Sequence, residues 1–384
     1  MEFRIARGEL AEAVGRASRA LPARAPVPVL GGLALVAEAG RLTVSGFDFE
    51  TAVRAEAVAE VSAAGRVLVP GRRLLDVCRV VPEGPVSCVL EGTRLAVEAD
   101  GTRFGLSTLP YEEYPALPES PPEYGAVDAE TFATAVGQVA VAAGRDDTLP
   151  ALTGIQLRLT GEEMTLSACD RYRCAVRQLE WKPQAGAAGD AVEVLVPARR
   201  LLEAARALAR GGSVRIGLDP RARTGGGVIA LEGGLPSGFQ AGSVRTVLRR
   251  LEGRLPGYGS LFELAGASVA EVDAGALAEA VRRVAVVAEA NSPVRLDFAA
   301  AEGSLLVRAG YGDDVAAQRL PAVLRGAPEV TVAFNPAYLL DALTSFEDTR
   351  LRVELLGAGQ RVLLGGTGAA EGHRHLLMSV KQLV

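Results

Sequence analysis

The stretch VLVPGRRLL at residues 67–75 returns as VLVPARRLL at residues 194–202, with eight of nine positions identical. A chain that repeats itself across more than a hundred residues must build the same unit more than once, which narrows its architecture more than composition does. A third, looser copy is VAFNPAYLLDAL at residues 332–343. The prolines of the three copies are Pro70, Pro197 and Pro336, with separations of 127 and 139 in a chain of 384 residues. Each copy reads as a short apolar strand, a break at proline and the start of a helix. Proline is tolerated in a first helical turn because the N–H it lacks has no intrahelical acceptor.

Other markers keep the same order. LAEAV at 10–14 returns as FATAV at 132–136 and LAEAV at 277–281, each within an amphipathic helical pattern. VPVLGGLAL (27–35) is matched by LPALTGIQL (149–157) and SPVRLDF (292–298). LTVSGFDFETAV, MTLSACDRYRCAV and LLVRAGYGDDVAA read as strands around an acidic turn. The order helix, three strands, helix, further strands thus occurs three times. Units of more than 100 residues exceed the ~20–50 residues of solenoid repeats, so the chain predicts three tandem α+β domains, each with two helices packed on β-sheets. Proline-rich linkers (108–125 and 250–266) set the boundaries at 1–125, 126–266 and 267–384.

Nearly half the residues (49%) are hydrophobic, enough for each domain to bury a core. The charged N-terminal stretch and the lack of a long apolar run predict a soluble cytoplasmic protein without a signal peptide or membrane span. Four cysteines, Cys78, Cys88, Cys169 and Cys174, do not suggest a disulfide framework, and the last two, five positions apart, do not have a CxxC redox spacing. His373 and His375 lack a cysteine or carboxylate cluster to complete a metal set. Asp146, Asp147 and Asp170 read as turn and cap residues rather than paired general acids. TGGGVIALEGG (224–234) lacks the Gly-Lys-Ser/Thr of a phosphate loop and reads as a hairpin. No catalytic residue, cofactor or metal site is expected.

The formal net charge is −5, from 41 Lys and Arg against 46 Asp and Glu, so any nucleic-acid contact must use a local basic surface. The helical stretches supply one. Arg72, Arg73 and Arg79 outnumber Asp76, and Arg199, Arg200, Arg206 and Arg210 outnumber Glu203. Arg16, Arg19 and Arg24 belong to the first helix and the turn after it, and Arg282 and Arg283 to a later helix. Phosphate contacts carry no sequence information, so such helices suit sequence-independent binding. An ordinary solvated helix face would have the same composition.

The chain resembles the bacterial sliding clamp family, the β subunit of DNA polymerase III, along essentially its whole length. The resemblance is carried by LPARAPVPVLGGL, FDFE, VLVPGRRLLDVCR, RFGLSTLPYEEYPALPE, AAGRDDTLPALTGI, DRYRCAV, FNPAYLLDAL and HLLMSV, and RDDTLPALTGI with DRYR looks like the actinobacterial branch. It implies a head-to-tail homodimeric ring around double-stranded DNA that tethers the replicative polymerase at the nucleoid, without catalysis. It also implies a pocket that binds linear peptide motifs of polymerases, clamp loader and repair proteins. Carried over, the pocket comprises Leu152, Cys169, Arg171, Tyr172, Arg173, Cys174, Pro256, Leu261, Leu376, Met378, Ser379 and Val380. DNA contact is implied for Arg24, Arg72, Arg73, Arg199 and Arg200. The dimer joint is implied for Arg103 and Phe104 on one side and Val286 and Val287 on the other.

Departures from the family pattern gather at that pocket. Ser379 stands where proline is usual, which restores an N–H and predicts a looser pocket wall. Cys169 stands for a usual threonine, Cys174 for an apolar residue, and Gly257 and Gly259 for larger side chains. These departures suit a second clamp copy that confers resistance to a clamp-binding peptide antibiotic. The remaining alternatives are an ordinary clamp that has drifted and a non-replicative scaffold for peptides or an inhibitor.

Overall fold

The computed structural model describes residues 1–185, 191–219, 227–234, 242–288, 292–311, 314–368 and 372–381. Among these residues six α-helices occur, two per repeat: α1 (Arg7–Ala17), α2 (Gly71–Val80), α3 (Ala129–Ala140), α4 (Ala198–Leu208), α5 (Ala274–Val284) and α6 (Pro336–Leu343). The three repeats have one α+β fold, and none of the helices is long and apolar enough to cross a membrane.

The repeated Pro-Leu frame behaves as its chemistry requires. Pro70 ends the strand Gly65–Pro70 and caps α2 with φ −56° and ψ 109°. Leu74, Val77 and Cys78 then face inward, while Arg72, Arg73 and Asp76 stay in solvent. Pro336 lies one position further in, as the first residue of α6, and the Asn335 side chain accepts from the N–H groups of Ala337 (2.9 Å) and Tyr338 (3.4 Å). That cap satisfies helix-end donors that would otherwise be orphaned.

Each repeat opens with a strand that the sequence reading omitted: Glu2–Ala6, Glu123–Asp128 and Ser268–Asp273. These strands have five or six residues and run straight into a helix. Their alternation is therefore too short to stand apart from the helical pattern that follows. In the third repeat the last strand residue, Asp273, is itself the helix cap, accepting from Ala276 N–H at 2.7 Å.

The chain folds as two compact units, residues 1–133, 181–189 and 200–250 in one and 134–180, 190–199 and 251–384 in the other. The repeats and the compact units are different divisions of the chain, because the central repeat contributes strands to both. In the first unit a nine-stranded sheet joins Ser243–Arg249 of the central repeat to Thr51–Val58 of the first, with Val247 opposite Ala52. A five-stranded sheet in the same unit ends at Thr102–Ser107. In the second unit a twelve-stranded sheet joins His373–Met378 of the last repeat to Arg173–Glu180 of the central one, with Leu376 opposite Cys174. Both joints are antiparallel and follow one rule: the last strand of a repeat pairs with the strand after the acidic turn of the repeat before it. Val228–Gly234 pairs antiparallel with Ser213–Leu218, as expected for a hairpin, although residues 224–226 of the motif lie outside the described residues.

Helix α1 packs on α2 and on Thr51–Val58, and α5 packs on α6. Gly46 permits the first arrangement, since a Cβ there would lie 2.5 Å from the carbonyl oxygen of Ala17. In the second unit the core runs from Leu277 and Val281 of α5 through Phe298, Leu305 and Phe334 to Leu377 in the joint strand. Leu377→Ala leaves a cavity in that core and is expected to cost about 2–5 kcal/mol, read as a lower urea midpoint by circular dichroism.

Candidate functional site

The pocket residues inferred from the sequence all belong to the second unit. Their centre is the turn between the strands Glu163–Cys169 and Arg173–Glu180. Asp170 shapes it: its Oδ1 accepts the N–H groups of Tyr172 (2.7 Å) and Arg173 (2.9 Å), and its Oδ2 accepts from Arg173 Nε (3.0 Å). This is the turn role expected for Asp170, and Asp146 does likewise by accepting both the N–H and the hydroxyl of Thr148.

Arg173 is buried. Its Nη1 pairs with Asp341 at 2.7 Å and its guanidinium lies 4.4 Å from the ring centre of Tyr338. It therefore braces the turn from beneath rather than facing a ligand. Tyr172, by contrast, is 52% exposed, with its ring stacked 5.9 Å from that of Tyr338.

The two cysteines of the turn correct the sequence reading. Cys169 and Cys174 are directly opposite in the hairpin, with Cα atoms 4.1 Å apart, and form a disulfide. Neighbours five apart across a tight turn meet through strand register, which a CxxC criterion does not capture. The other two cysteines are buried thiols, with burial raising Cys78 to about 11 and Cys88 to about 12.

Around this turn the apolar residues fall into two layers. Cys169, Cys174, Leu376 and Ser379 are buried, with Leu195, Leu255, Phe262 and Leu363 packed alongside the first three. Above them Arg171, Tyr172, Pro256, Leu261, Met378 and Val380 are exposed, and Leu152 is half-buried. Large apolar side chains left in solvent together mark a docking surface more often than singly exposed ones do. The residues 251–264 that close one side are pinned at several points. Leu251 N–H donates to Leu195 O (2.8 Å), Leu255 N–H to Gln156 Oε1 (3.0 Å), and Arg374 to Phe262 O (2.7 Å). Gln156, Arg374 and Asp341 were absent from the sequence inference. Their partners lie 99 or more residues away, so no local pattern marks them.

The tail does not behave as expected from its missing proline. Ser379 is only 6% exposed; its N–H donates to Gln360 O (3.0 Å) and its hydroxyl donates to the same oxygen (2.8 Å). Met378 N–H donates to Tyr172 O and Val380 N–H to Ala333 O, both at 2.8 Å. The N–H that serine restores therefore ties the wall down, where looseness was expected.

His373 and His375 sit two apart on the joint strand and point inward. His373 Nδ1 is 3.2 Å from Val176 O and its Nε2 is 2.9 Å from Ser345 Oγ, so both ring nitrogens are engaged within the fold. His375 is fully buried, and neither ring nitrogen has a hydrogen-bond partner among the described residues. No set of three or more His, Cys, Asp or Glu is arranged for a metal among the described residues.

The arginines separate into three kinds. Arg24, Arg72, Arg73 and Arg199 are exposed, and Arg72 donates to the carbonyls of Pro22 (3.3 Å) and Ala23 (2.8 Å), bracing the turn that carries Arg24. Arg200 is paired with Asp48 at 2.7 Å and with Glu203 at 3.6 Å. Arg16, counted on composition with the basic surface, is buried between Glu12 and the carbonyl of Ala207, and Arg19 donates to Glu203 O at 3.3 Å. Those two hold the fold of the first unit.

At the residues inferred for the dimer joint, Arg103 pairs with Glu91 (2.7 Å) and Glu98 (3.0 Å), and Phe104 is half-buried on the edge strand Thr102–Ser107. Val286 is 83% exposed, next to the half-buried Val287.

Models of the DNA polymerase III beta subunit match almost the whole chain: the N-terminal domain at residues 1–118, the central domain at 126–256 and the C-terminal domain at 261–381. A beta sliding clamp of Streptomyces coelicolor is 43% identical over 99% of both chains. A beta sliding clamp homolog, GriR, of Streptomyces muensis is 40% identical over 99% of both. A solved sliding clamp from Pseudomonas aeruginosa, bound to griselimycin, superposes with a TM-score of 0.88 at 24% identity, covering 100% of each chain.

The two histidines give the fold an acid sensitivity. Burial is the main cause that lowers His373 to about 4, Arg177 adding to it, and burial with the nearby His373 and Arg173 holds His375 well below 6.5. Between pH 6.5 and 4 the unfolded chain binds protons that the folded one refuses. Stability is therefore present above pH 6.5 and falls as pH drops through this window. A melting series from pH 7.5 to 4.5 is expected to show this loss, reduced in His375→Leu.

Proposed function

Because the chain belongs to the DNA polymerase III beta subunit family, the sliding clamps, we propose that two copies close head to tail into a ring around duplex DNA. A sliding clamp is a non-catalytic processivity factor, so its work is topological and adhesive rather than chemical.

The single observation that carries the ring is the joint rule. Val247 faces Ala52 and Leu376 faces Cys174. Ala52, Cys174 and Val315 correspond, because each follows the turn and pairs with Phe47, Cys169 and Gly310 respectively. Leu106, Leu248 and Leu377 match as the last buried residue of each last strand, followed by exposed Ser107, Arg249 and Met378. Among the described residues one last strand, Thr102–Ser107, ends its sheet, and residues 314–321 of Asp314–Arg325 pair only with Ser304–Tyr311. Applied between copies, the rule sets Gly105 opposite Val315 and Phe104 opposite Ala316. Val315 is 67% exposed, and burying it with Phe104, Val286 and Val287 would cover an open strand edge of the kind proteins otherwise guard. Two copies of three repeats related by a two-fold axis then make a closed ring of six.

Within the ring, Arg24, Arg73 and Arg199 would meet the phosphate backbone, with Arg72 bracing the turn that carries Arg24. Arg200, implied for the same role by the resemblance, would have to leave Asp48 to reach a phosphate. A closed ring is retained by topology, so a few weak phosphate contacts suffice and allow sliding. The layered groove at Tyr172, Leu261, Met378 and Val380 would take apolar anchors of partner peptides, from the polymerase and other proteins that act on DNA. Met suits a groove with several partners because its unbranched side chain repacks.

The test uses a clamp loader and nicked circular DNA. The protein is expected to stay on circles and to be lost when they are cut. Val315→Asp, at an exposed position, is expected to give a folded monomer that is not retained. Retention of Val315→Asp would remove the strand joint, and failure of the unaltered protein to load would leave only the scaffold reading.

A second reading is a clamp copy whose groove is reshaped against a clamp-binding peptide antibiotic. It is favoured by the departures gathered around the groove and by the bonds that Ser379 makes to Gln360. Ser379→Pro removes both, which at the magnitude of a net hydrogen bond is about 0.5–1.5 kcal/mol each. Griselimycin affinity is expected to rise in Ser379→Pro while affinity for a polymerase tail peptide is kept. Unchanged affinity for both would dismiss Ser379 as a cause.

A further inference from the structure

We propose a second peptide-docking site, in the first unit at the turn Asp48–Thr51, which takes a leucine or phenylalanine anchor flanked by basic residues. A cavity of about 220 Å³ lies there. Phe47, Phe49, Pro118, Val228 and Val247 form its apolar wall, and Glu50 and Arg249 its polar edge. Beneath it Phe47, Val247 and Ala230 are buried, with Tyr114 and Leu117 packed against them.

The first support is correspondence with the groove of the second unit. Phe47 matches Cys169 and Val247 matches Leu376 by strand register, and Ala230 matches Leu363, since these face Val247 and Leu376. The stretch Tyr114–Pro118 closes one side as residues 255–264 do there. The peptide nature of the ligand rests on the proposed role of that other groove; the cavity itself does not.

The second support is the backbone of Phe49. Its φ is +71°, a region that a bulky side chain occupies only when its surroundings impose it. The surroundings here do so. Asp48 Oδ1 accepts the N–H groups of Glu50 (3.1 Å) and Thr51 (2.7 Å), and Arg200 pins Asp48 Oδ2 at 2.7 Å. The outcome is an aromatic ring 54% exposed, 5.3 Å from Phe47, held at the mouth of the cavity. A ring with one face on Phe47 and more than half its surface in solvent suits a lip that closes on a side chain.

The charge at the rim names the partner's chemistry. Arg249 and Glu50 match each other at 3.5 Å. The chain that forms the wall then adds exposed Glu112 and Glu113 before Tyr114, and Glu119 after Pro118. With Arg66 over the ring of Tyr111 on the same segment, three exposed carboxylates next to the wall outnumber the one arginine there, which favours a peptide with Lys or Arg beside its anchor. The groove of the second unit has Arg171 where this one has Phe49, so the two select different peptides.

The test uses the full chain and a fluorescein-labelled peptide, Gly-Lys-Leu-Phe-Lys-Gly, with the same peptide bearing glutamates for lysines as comparison. Binding is read by anisotropy and by methyl NMR of Val228 and Val247. The basic peptide is expected to shift both valines and to bind more tightly than the acidic one. Phe49→Ala, whose fold is checked by melting, is expected to weaken the binding that shifts Val228 and Val247 about ten-fold or more, whereas Met378→Glu, in the other groove, is expected to keep those two shifts even where it lowers the anisotropy. If the basic peptide moves neither valine at millimolar concentration, the site is not there, whatever the acidic peptide does at Met378. If Met378→Glu abolishes binding and Phe49→Ala does not, the peptide uses the other groove alone and the proposal fails.

Discussion

Antiparallel pairing of the last strand of the second and third repeats with the strand after the acidic turn of the repeat before is the interaction on which the rest depends. Unpaired strand edges expose N–H and C=O groups that must find partners. Here two such edges are satisfied inside the chain, at Ser243–Arg249 with Thr51–Val58 and at His373–Met378 with Arg173–Glu180. The same pairing brings a turn from one repeat beside a strand of the next. A groove results at each joint, with a shared geometry and different side chains.

Asp48 and Asp170 show how one device is reused. Each accepts two backbone N–H groups of its turn and is held by an arginine. The arginine differs: Arg200 comes from α4, while Arg173 belongs to the turn itself and reaches on to Asp341. Such partly buried, charge-assisted contacts fix a conformation well but leave a costly orphan when one partner is lost. The turns are thus rigid platforms, and Phe49 and Tyr172 are what they present.

The same view sorts the basic residues. An arginine can anchor a fold or meet a phosphate, and the two uses compete for one guanidinium. Arg16, Arg173 and Arg200 are engaged with carboxylates or carbonyls of the chain. Arg24 and Arg73 project into solvent. A chain with net charge −5 can still present a basic face because its acidic residues are matched elsewhere, as with Glu232 between Arg215 and Arg245.

The sequence alone determined the three-fold repeat, the helix in each Pro-Leu frame and the acidic turns. All are set by local periodicity and by the geometry of proline, aspartate and asparagine, so they are legible within about ten residues. It also held the resemblance that selected Tyr172, Leu261 and Met378. Tertiary structure alone decided the rest. The disulfide needed the register of a hairpin, the binding of Ser379 needed Gln360 beside it, and the fate of Arg200 needed Asp48, 152 residues away. Arg199 and Arg200 are adjacent and chemically identical, and only the packing of α4 against a distant turn brings Asp48 to Arg200. Strand pairing and ion pairing between remote segments leave no periodic trace, because their partners are chosen by the folded chain and not by its neighbours in sequence.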